Sequence, residues 1–200
     1  MTMFYLIRHG HTDLIGKVLC GRMSGVHLNV EGRAQARRLA ERFRGVPIVS
    51  VYSSPLERAV ETAEPLAESL GLPLRIAADI SEVDYGDWTG RAFETISDDQ
   101  RWKQRHSWRS GLHIPGAETP IQVQNRVVGW IAGIHRESAD GHFAVVSHGD
   151  PIKSAVAFYA GLHIDQFSRI DISPASVTAL RIDDHGPCVL TLNNLESLQR

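Results

Sequence analysis

The chain has 200 residues, 42% of them hydrophobic, enough for a packed core and too many for a disordered chain. Its formal net charge of −2 gives no global pull toward nucleic acid or an anionic membrane. Two cysteines, Cys20 and Cys188, make no disulfide framework and lack metal-site spacing, so a reduced, cytoplasmic setting is expected.

In chain order, residues 4–7 read as a buried strand, too short an apolar run before Arg8 for a signal-peptide core. No apolar run approaches a membrane span. Ala36, Leu39, Ala40 and Phe43 lie at helical spacing. Residues 48–52 predict a second strand. Leu56, Ala59, Val60, Ala63, Ala67 and Leu70 then mark an amphipathic helix. Its start, Ser54-Pro55-Leu56-Glu57, has the form of a capping box with Pro at the first helical position. Residues 74–80 read as a third strand-like segment, and residues 98–116 as an irregular loop or lid. Thr119-Pro120-Ile121-Gln122 repeats the capping pattern before a helix carrying Val123, Val127, Ile131 and Ile134. Residues 143–146 predict a strand and 152–159 a helix, with Asp150-Pro151 as its candidate start. Residues 176–192 predict two strands about a turn at 183–186. This alternation argues for an α/β domain.

Three strand ends carry residues suited to phosphate chemistry. Strand one runs into Arg8-His9-Gly10-His11-Thr12. Ligands of α/β sheets gather at the carboxyl ends of strands, and Gly10 lets the backbone approach one closely. Arg8 supplies a fork matched to phosphate oxygens, and His9 a nucleophile or base. Strand two ends at Ser53-Ser54, with Arg58 in the first turn of the next helix, where free N–H groups favour an anion. A later strand ends at Ser147-His148-Gly149. Each signal alone fits an ordinary strand end or surface arginine; the three together are hard to produce by accident. Glu82, in the turn-rich stretch 81–90, is the candidate general acid, with Asp84 in reserve.

The ordered segments Leu6-Ile7-Arg8-His9-Gly10-His11-Thr12, Leu28-Asn29-Val30-Glu31-Gly32-Arg33-Ala34-Gln35-Ala36, Ser53-Ser54-Pro55-Leu56-Glu57-Arg58-Ala59-Val60-Glu61-Thr62-Ala63, Glu82-Val83-Asp84-Tyr85-Gly86-Asp87-Trp88-Thr89-Gly90, Pro115-Gly116-Ala117-Glu118-Thr119 and Val146-Ser147-His148-Gly149 resemble the histidine phosphatase superfamily, in its phosphoglycerate mutase-like branch. The resemblance covers nearly the whole chain. With the alternation of elements, it implies one domain over residues 1–200: a three-layer α/β/α sandwich with a mainly parallel sheet, residues 98–116 forming a lid or cap.

The resemblance further implies that His9 accepts the phosphoryl group, that Arg8, Arg58 and His148 hold its oxygens, and that Glu82 protonates the leaving group. The expected substrate-binding set is Arg8, Thr12, Gly21, Arg22, Arg58, His148 and Gly149. Neither a metal nor another cofactor is expected, since two arginines and a histidine take a metal's place at the phosphate. The chain departs from many relatives at His11, at Ile15 and at Ala117 and Thr119. Arg22 is the candidate replacement contact at the pocket mouth.

Residues 101–109 interleave basic and aromatic side chains. A cap over an anionic substrate is the favoured reading, ahead of a solvated face and of single-stranded nucleic acid. The expected activity is hydrolysis of a small phosphorylated metabolite, with no nucleic-acid or membrane partner. The alternatives are a phosphoglycerate mutase, usually longer over the stretch spanned here by residues 90–115, and a silent phospho-ligand sensor.

Overall fold

A computed structural model describes residues 1–138, 140–196 and 198. Strands β1 (Thr2–Arg8), β2 (Ile48–Ser53), β3 (Leu74–Ile76), β4 (Gly141–Ser147), β5 (Val177–Asp183) and β6 (Gly186–Asn194) form one sheet in the order β3-β2-β4-β1-β5-β6. The first four in that order are mutually parallel; β5 is antiparallel to β1, and β6 is antiparallel to β5. The helices are α1 (Val30–Arg42), α2 (Glu57–Leu70), α3 (Phe93–Ile96), α4 (Gln100–Ser107), α5 (Pro120–Glu137) and α6 (Gly149–Tyr159). The α/β fold expected from the alternation is the one observed.

Side chains alternate across β1 as its pleat demands. Phe4 and Leu6 enter a core with Val127 and Ile131 of α5 and Ile152 and Val156 of α6. Ile7 enters the opposite core with Leu39 of α1 and Ala63 and Leu66 of α2. A third cluster, built on Trp88 with Leu19, Ile96 and Val123, takes in Leu112 and Ile114 from within residues 98–116. Among the described residues, no helix is long and apolar enough to cross a membrane.

The register places three strand ends side by side. Arg8 pairs with Ser147, and Ser53 with Val146. His9, Ser54 and His148, each the residue after its strand, therefore leave the sheet at one edge.

Four local expectations need correction. Ser54 does not cap α2: Leu56 stands at the N-cap with extended backbone and no side-chain capping bond. The Ser54 hydroxyl instead meets His148 Nε2 at 2.7 Å, and the Glu57 carboxylate accepts from Gly25 N at 2.9 Å. The third strand ends at Ile76 and a 3-10 turn, Ala78–Ile80, follows. The Ile80 carbonyl accepts from Ser147 Oγ at 2.7 Å, which turns the chain toward the strand ends. Helix α4 lies within the stretch read as irregular, with Asp99 as its N-cap. The capping box at Thr119 and Gln122 is present at the start of α5. Helix α6 begins at Gly149, one residue before the expected start.

Candidate active site

His9 is held by backbone on both sides. Its N–H donates to Ser147 O at 2.9 Å, and the next N–H, of Gly10, donates to Thr62 Oγ1 at 2.9 Å. The loop then meets α1 backbone to backbone. A Cβ on Gly10 would lie 2.8 Å from Gly32 O, and one on Gly32 would lie 2.1 Å from His11 O. Only a glycine pair permits that approach. Gly32→Ala should therefore displace the His9 loop, costing about 1–3 kcal/mol of stability along with activity. Chemical denaturation checks the first effect; an unchanged stability would contradict it.

The His9 ring is only 4% exposed. Nδ1 lies 2.7 Å from Gly10 O. A carbonyl only accepts, so Nδ1 carries the proton and Nε2 keeps its lone pair. Burial, then the nearby Arg58 and Arg8 guanidiniums, hold the imidazole well below its usual pKa. The ring is neutral at pH 7, as nucleophilic attack requires.

Three nitrogen atoms beside it are buried without a hydrogen-bond partner: Arg8 Nε, Arg58 Nη1 and His148 Nδ1. Each group is aimed by another bond. Arg8 Nη1 donates to Ile172 O at 2.6 Å, and Arg58 Nη2 donates to Gly21 O at 2.8 Å. The Ser54 hydroxyl holds His148 Nε2. The His148 and His9 rings meet edge-on, centroids 5.1 Å apart. Burial, then Arg58, also holds His148 well below its usual pKa.

Arg8, His9, Thr12, Gly21, Arg58, Glu82 and Gly149 line one cavity of about 210 Å³. Ile15, one of the departures, also lines it, whereas His11 turns away and accepts from the Asn29 amide at 3.1 Å. A wider cleft of about 570 Å³, lined by residues such as Arg42 and Glu196, holds no histidine or cysteine.

Glu82 is raised to about 7, by burial first and by the negative Asp150 second, against Val83 N–H, Arg58 and Arg8. It is the one carboxyl of the cavity wall placed to exchange a proton near neutrality. His148, fully buried with its ring edge-on to His9, is not among the cavity-lining residues, contrary to expectation. Nor is Arg22. Its Nε donates to the Glu82 carbonyl at 3.0 Å, and its Nη2 to Glu118 at 2.9 Å. Glu118 also binds Arg126 Nε at 2.8 Å and accepts from Asp84 N. Arg22 is drawn away by that carboxylate and props the Glu82 loop instead.

Within residues 101–109, Trp102, Arg105 and Arg109 turn toward the protein, whereas Lys103, His106 and Trp108 are exposed. Trp102 packs on Phe93 and Trp88, with centroids 5.4 Å and 5.9 Å away. Arg101 pairs with Asp99, while Arg105 and Arg109 pair with Asp150. Sequence reasoning missed Asp150, Tyr85, Arg105 and Lys153, which also line the cavity. The i, i+3 spacing of Asp150 and Lys153 on a helix that starts at a strand end was the available signal.

The model of the histidine phosphatase superfamily (branch 1) matches residues 4–195. Phosphoserine phosphatase 1 of Hydrogenobacter thermophilus is 27% identical over 96% of this chain and 92% of its own length. The 2,3-bisphosphoglycerate-dependent phosphoglycerate mutase of Thermoplasma acidophilum is 28% identical over 92% of this chain and 88% of its own. The structure of Entamoeba histolytica phosphoserine phosphatase in complex with 3-phosphoglyceric acid superposes with a TM-score of 0.88 at 25% identity, covering all of both chains.

Proposed function

Because the chain belongs to the histidine phosphatase superfamily (branch 1), we propose that it is a metal-independent phosphatase that hydrolyses small phosphate monoesters through a phosphoenzyme on His9. The observation that carries this is the grouping of Arg8 Nε, Arg58 Nη1 and His148 Nδ1, buried and unpartnered, around a neutral imidazole. Two cations and a ring N–H suit a phosphoryl group whose charge must be held through transfer. A hydrogen bond donated by Ser54 to His148 Nε2 leaves Nδ1 as the donor to that phosphate.

His9 Nε2 forms a bond to phosphorus as the ester P–O bond breaks. The departing oxygen takes the Glu82 proton, and the alcohol leaves. Glu82, now a carboxylate, removes a proton from the water that attacks phosphohistidine. The N–P bond breaks, inorganic phosphate leaves, and both groups return to their starting states. One ester and one water give one alcohol and one phosphate.

Protonated Glu82 is needed in the first step, so kcat/KM on alkyl phosphates should fall as pH rises through about 7. p-Nitrophenyl phosphate, whose leaving group needs little protonation, should lose far less. Glu82→Gln should slow alkyl phosphates by about 100-fold or more and remove that alkaline limb. Equal losses on both ester types would take Glu82 out of the acid role.

Phosphoserine and 3-phosphoglycerate, named for the relatives, head the substrate list. Both carry an acidic group besides phosphate, and Lys153 and Arg105 add positive charge to the cavity wall. Cys20 and Cys188 are free thiols, which suits a cytoplasmic setting. Residues 98–116 act as the cap of a single domain. The mutase reading is carried by the mutase relative; activity on 3-phosphoglycerate only with a bisphosphorylated primer would favour it over hydrolysis. Phosphate released in chelator from a panel of phosphorylated metabolites tests hydrolysis and names the substrate.

A further inference from the structure

Asp150 gathers three donors from two distant segments onto one oxygen. Tyr85 Oη donates to Oδ2 at 2.5 Å, Arg105 Nη2 at 2.8 Å and Arg109 Nη2 at 2.6 Å. Tyr85 follows Glu82 in the same loop; Arg105 belongs to α4 and Arg109 to the turn after it. Asp150 sits in the first turn of α6, next to Gly149 in the wall of the His9 cavity. Its side chain is 13% exposed and that of Arg109 is 4% exposed. Desolvation offsets much of the attraction in a buried pair of this kind, so it adds little net stability, whereas removing one partner leaves a buried charge unpaired.

We propose that Asp150 is a positioning residue: it fastens residues 98–116 over the cavity and sets a fixed negative charge against Glu82. Its catalytic weight rests on the acid role of Glu82 put forward above. Glu82 shares the cavity wall with Arg8 from β1, His9 and Cys20 from the loop after β1, Arg58 from α2, Tyr85 from its own loop, Arg105 from α4, and Asp150 and Lys153 from α6. Arg22 and Arg126 hold its carbonyl. Within that ring of cations, Asp150 is the opposing charge. Burial opposes its ionisation, but Arg105 and Arg109 override burial and keep it ionised. An anion that cannot take up a proton near neutrality makes its neighbour keep one.

Carbon-13 NMR of glutamate-labelled protein reads the Glu82 carboxyl directly, assigned by its loss in Glu82→Gln, whether or not any ester is turned over. Asp150→Asn removes the anion, so the Glu82 titration should move about one pH unit or more toward acid. Arg105→Gln breaks the same tether but removes a cation, so the titration should move the other way. A purely structural role predicts the same direction in both, because a loosened cap exposes Glu82 and lowers its pKa in either variant. Opposite shifts support the proposal. An unmoved Asp150→Asn titration, or parallel acid shifts, would overturn it. If Asp150→Asn does not fold, Arg105→Gln decides alone: an acid shift or none rejects the proposal. The alkaline limb of kcat/KM on an alkyl phosphate should follow each titration. Titrations that move as stated while activity ignores them would remove Glu82 from catalysis and leave the electrostatic coupling standing.

Discussion

His9→Ala should lower turnover of phosphate monoesters by roughly 10⁴-fold or more, the scale seen when a covalent nucleophile is removed. The substitution takes away the one group placed to form the bond to phosphorus. What remains, Arg8, Arg58 and His148, still holds an anion, so binding of inorganic phosphate should survive. The fold should survive as well. The imidazole bonds the adjacent Gly10 carbonyl and meets His148 edge-on, while the loop is fixed by the backbone bonds of His9 and Gly10 to Ser147 and Thr62. Loss of activity with retained phosphate affinity and an intact thermal transition is the expected pattern. Substantial activity in a folded His9→Ala protein would exclude His9 as the nucleophile.

Arg58→Gln should cost about 10²–10³-fold in kcat/KM, the range for losing one well-placed charge-stabilising donor. Arg58 is 2% exposed, and its two terminal nitrogens have different work. Nη2 is fixed to Gly21 O at 2.8 Å, which directs the unpartnered Nη1 at the site. Lysine presents one compact ammonium and cannot do both, so Arg58→Lys should recover only part of the loss. A second readout separates charge from shape. After burial, Arg58 is the foremost cause of the depressed His9 pKa. Without its charge the imidazole protonates more readily, and the acid limb of kcat/KM should move to higher pH. A large loss with an unmoved acid limb would mean that Arg58 shapes the pocket without acting on His9 through its charge.

The residues of the proposed site that were most legible in the sequence share one property: each lies at a strand end or in the turn that follows it. His9 and His148 come just after apolar strands, and Arg58 comes in the turn after a third. Parallel register then brings them together, so local pattern and topology suffice. Glu82 needed the surrounding turn-rich segment and the family resemblance, because nothing in its own spacing aims it at His9. The features that were missed depend on contacts between distant segments. Ser54 has the signature of a helix cap, but its hydroxyl is taken by His148, 94 residues away. Arg22 was expected to reach the pocket, yet Glu118, 96 residues on, draws it aside. Helix α4 has no buried residue and so shows no apolar stripe; it is held by the part-buried Trp102 and by Arg105 on Asp150. Asp150 itself reads as an ordinary acidic residue in a first helical turn. Its three donors lie 41 to 65 residues away along the chain, beyond any local periodicity.

The fold follows more directly from the pattern, because burial on two faces of one sheet dictates it. Alternation along β1 sends Phe4 and Leu6 one way and Ile7 the other, and the helical stripes of α1, α2, α5 and α6 cover both faces. The segment between Trp88 and Val123 escaped a full reading because it packs on a small core of its own. That core is made of single anchors such as Trp88, Ile96 and Leu112, without a repeating stripe.

The measurement that bears most directly on the proposed mechanism is trapping the phosphoryl group. The protein, in chelator, is mixed with a radiolabelled phosphate monoester that it hydrolyses and quenched within the first turnover. Protein-bound label that is acid-labile and base-stable, located on the peptide containing His9 and absent in His9→Ala, is the expected result. Phosphate released at full rate with no such adduct, or label on any other residue, would contradict it.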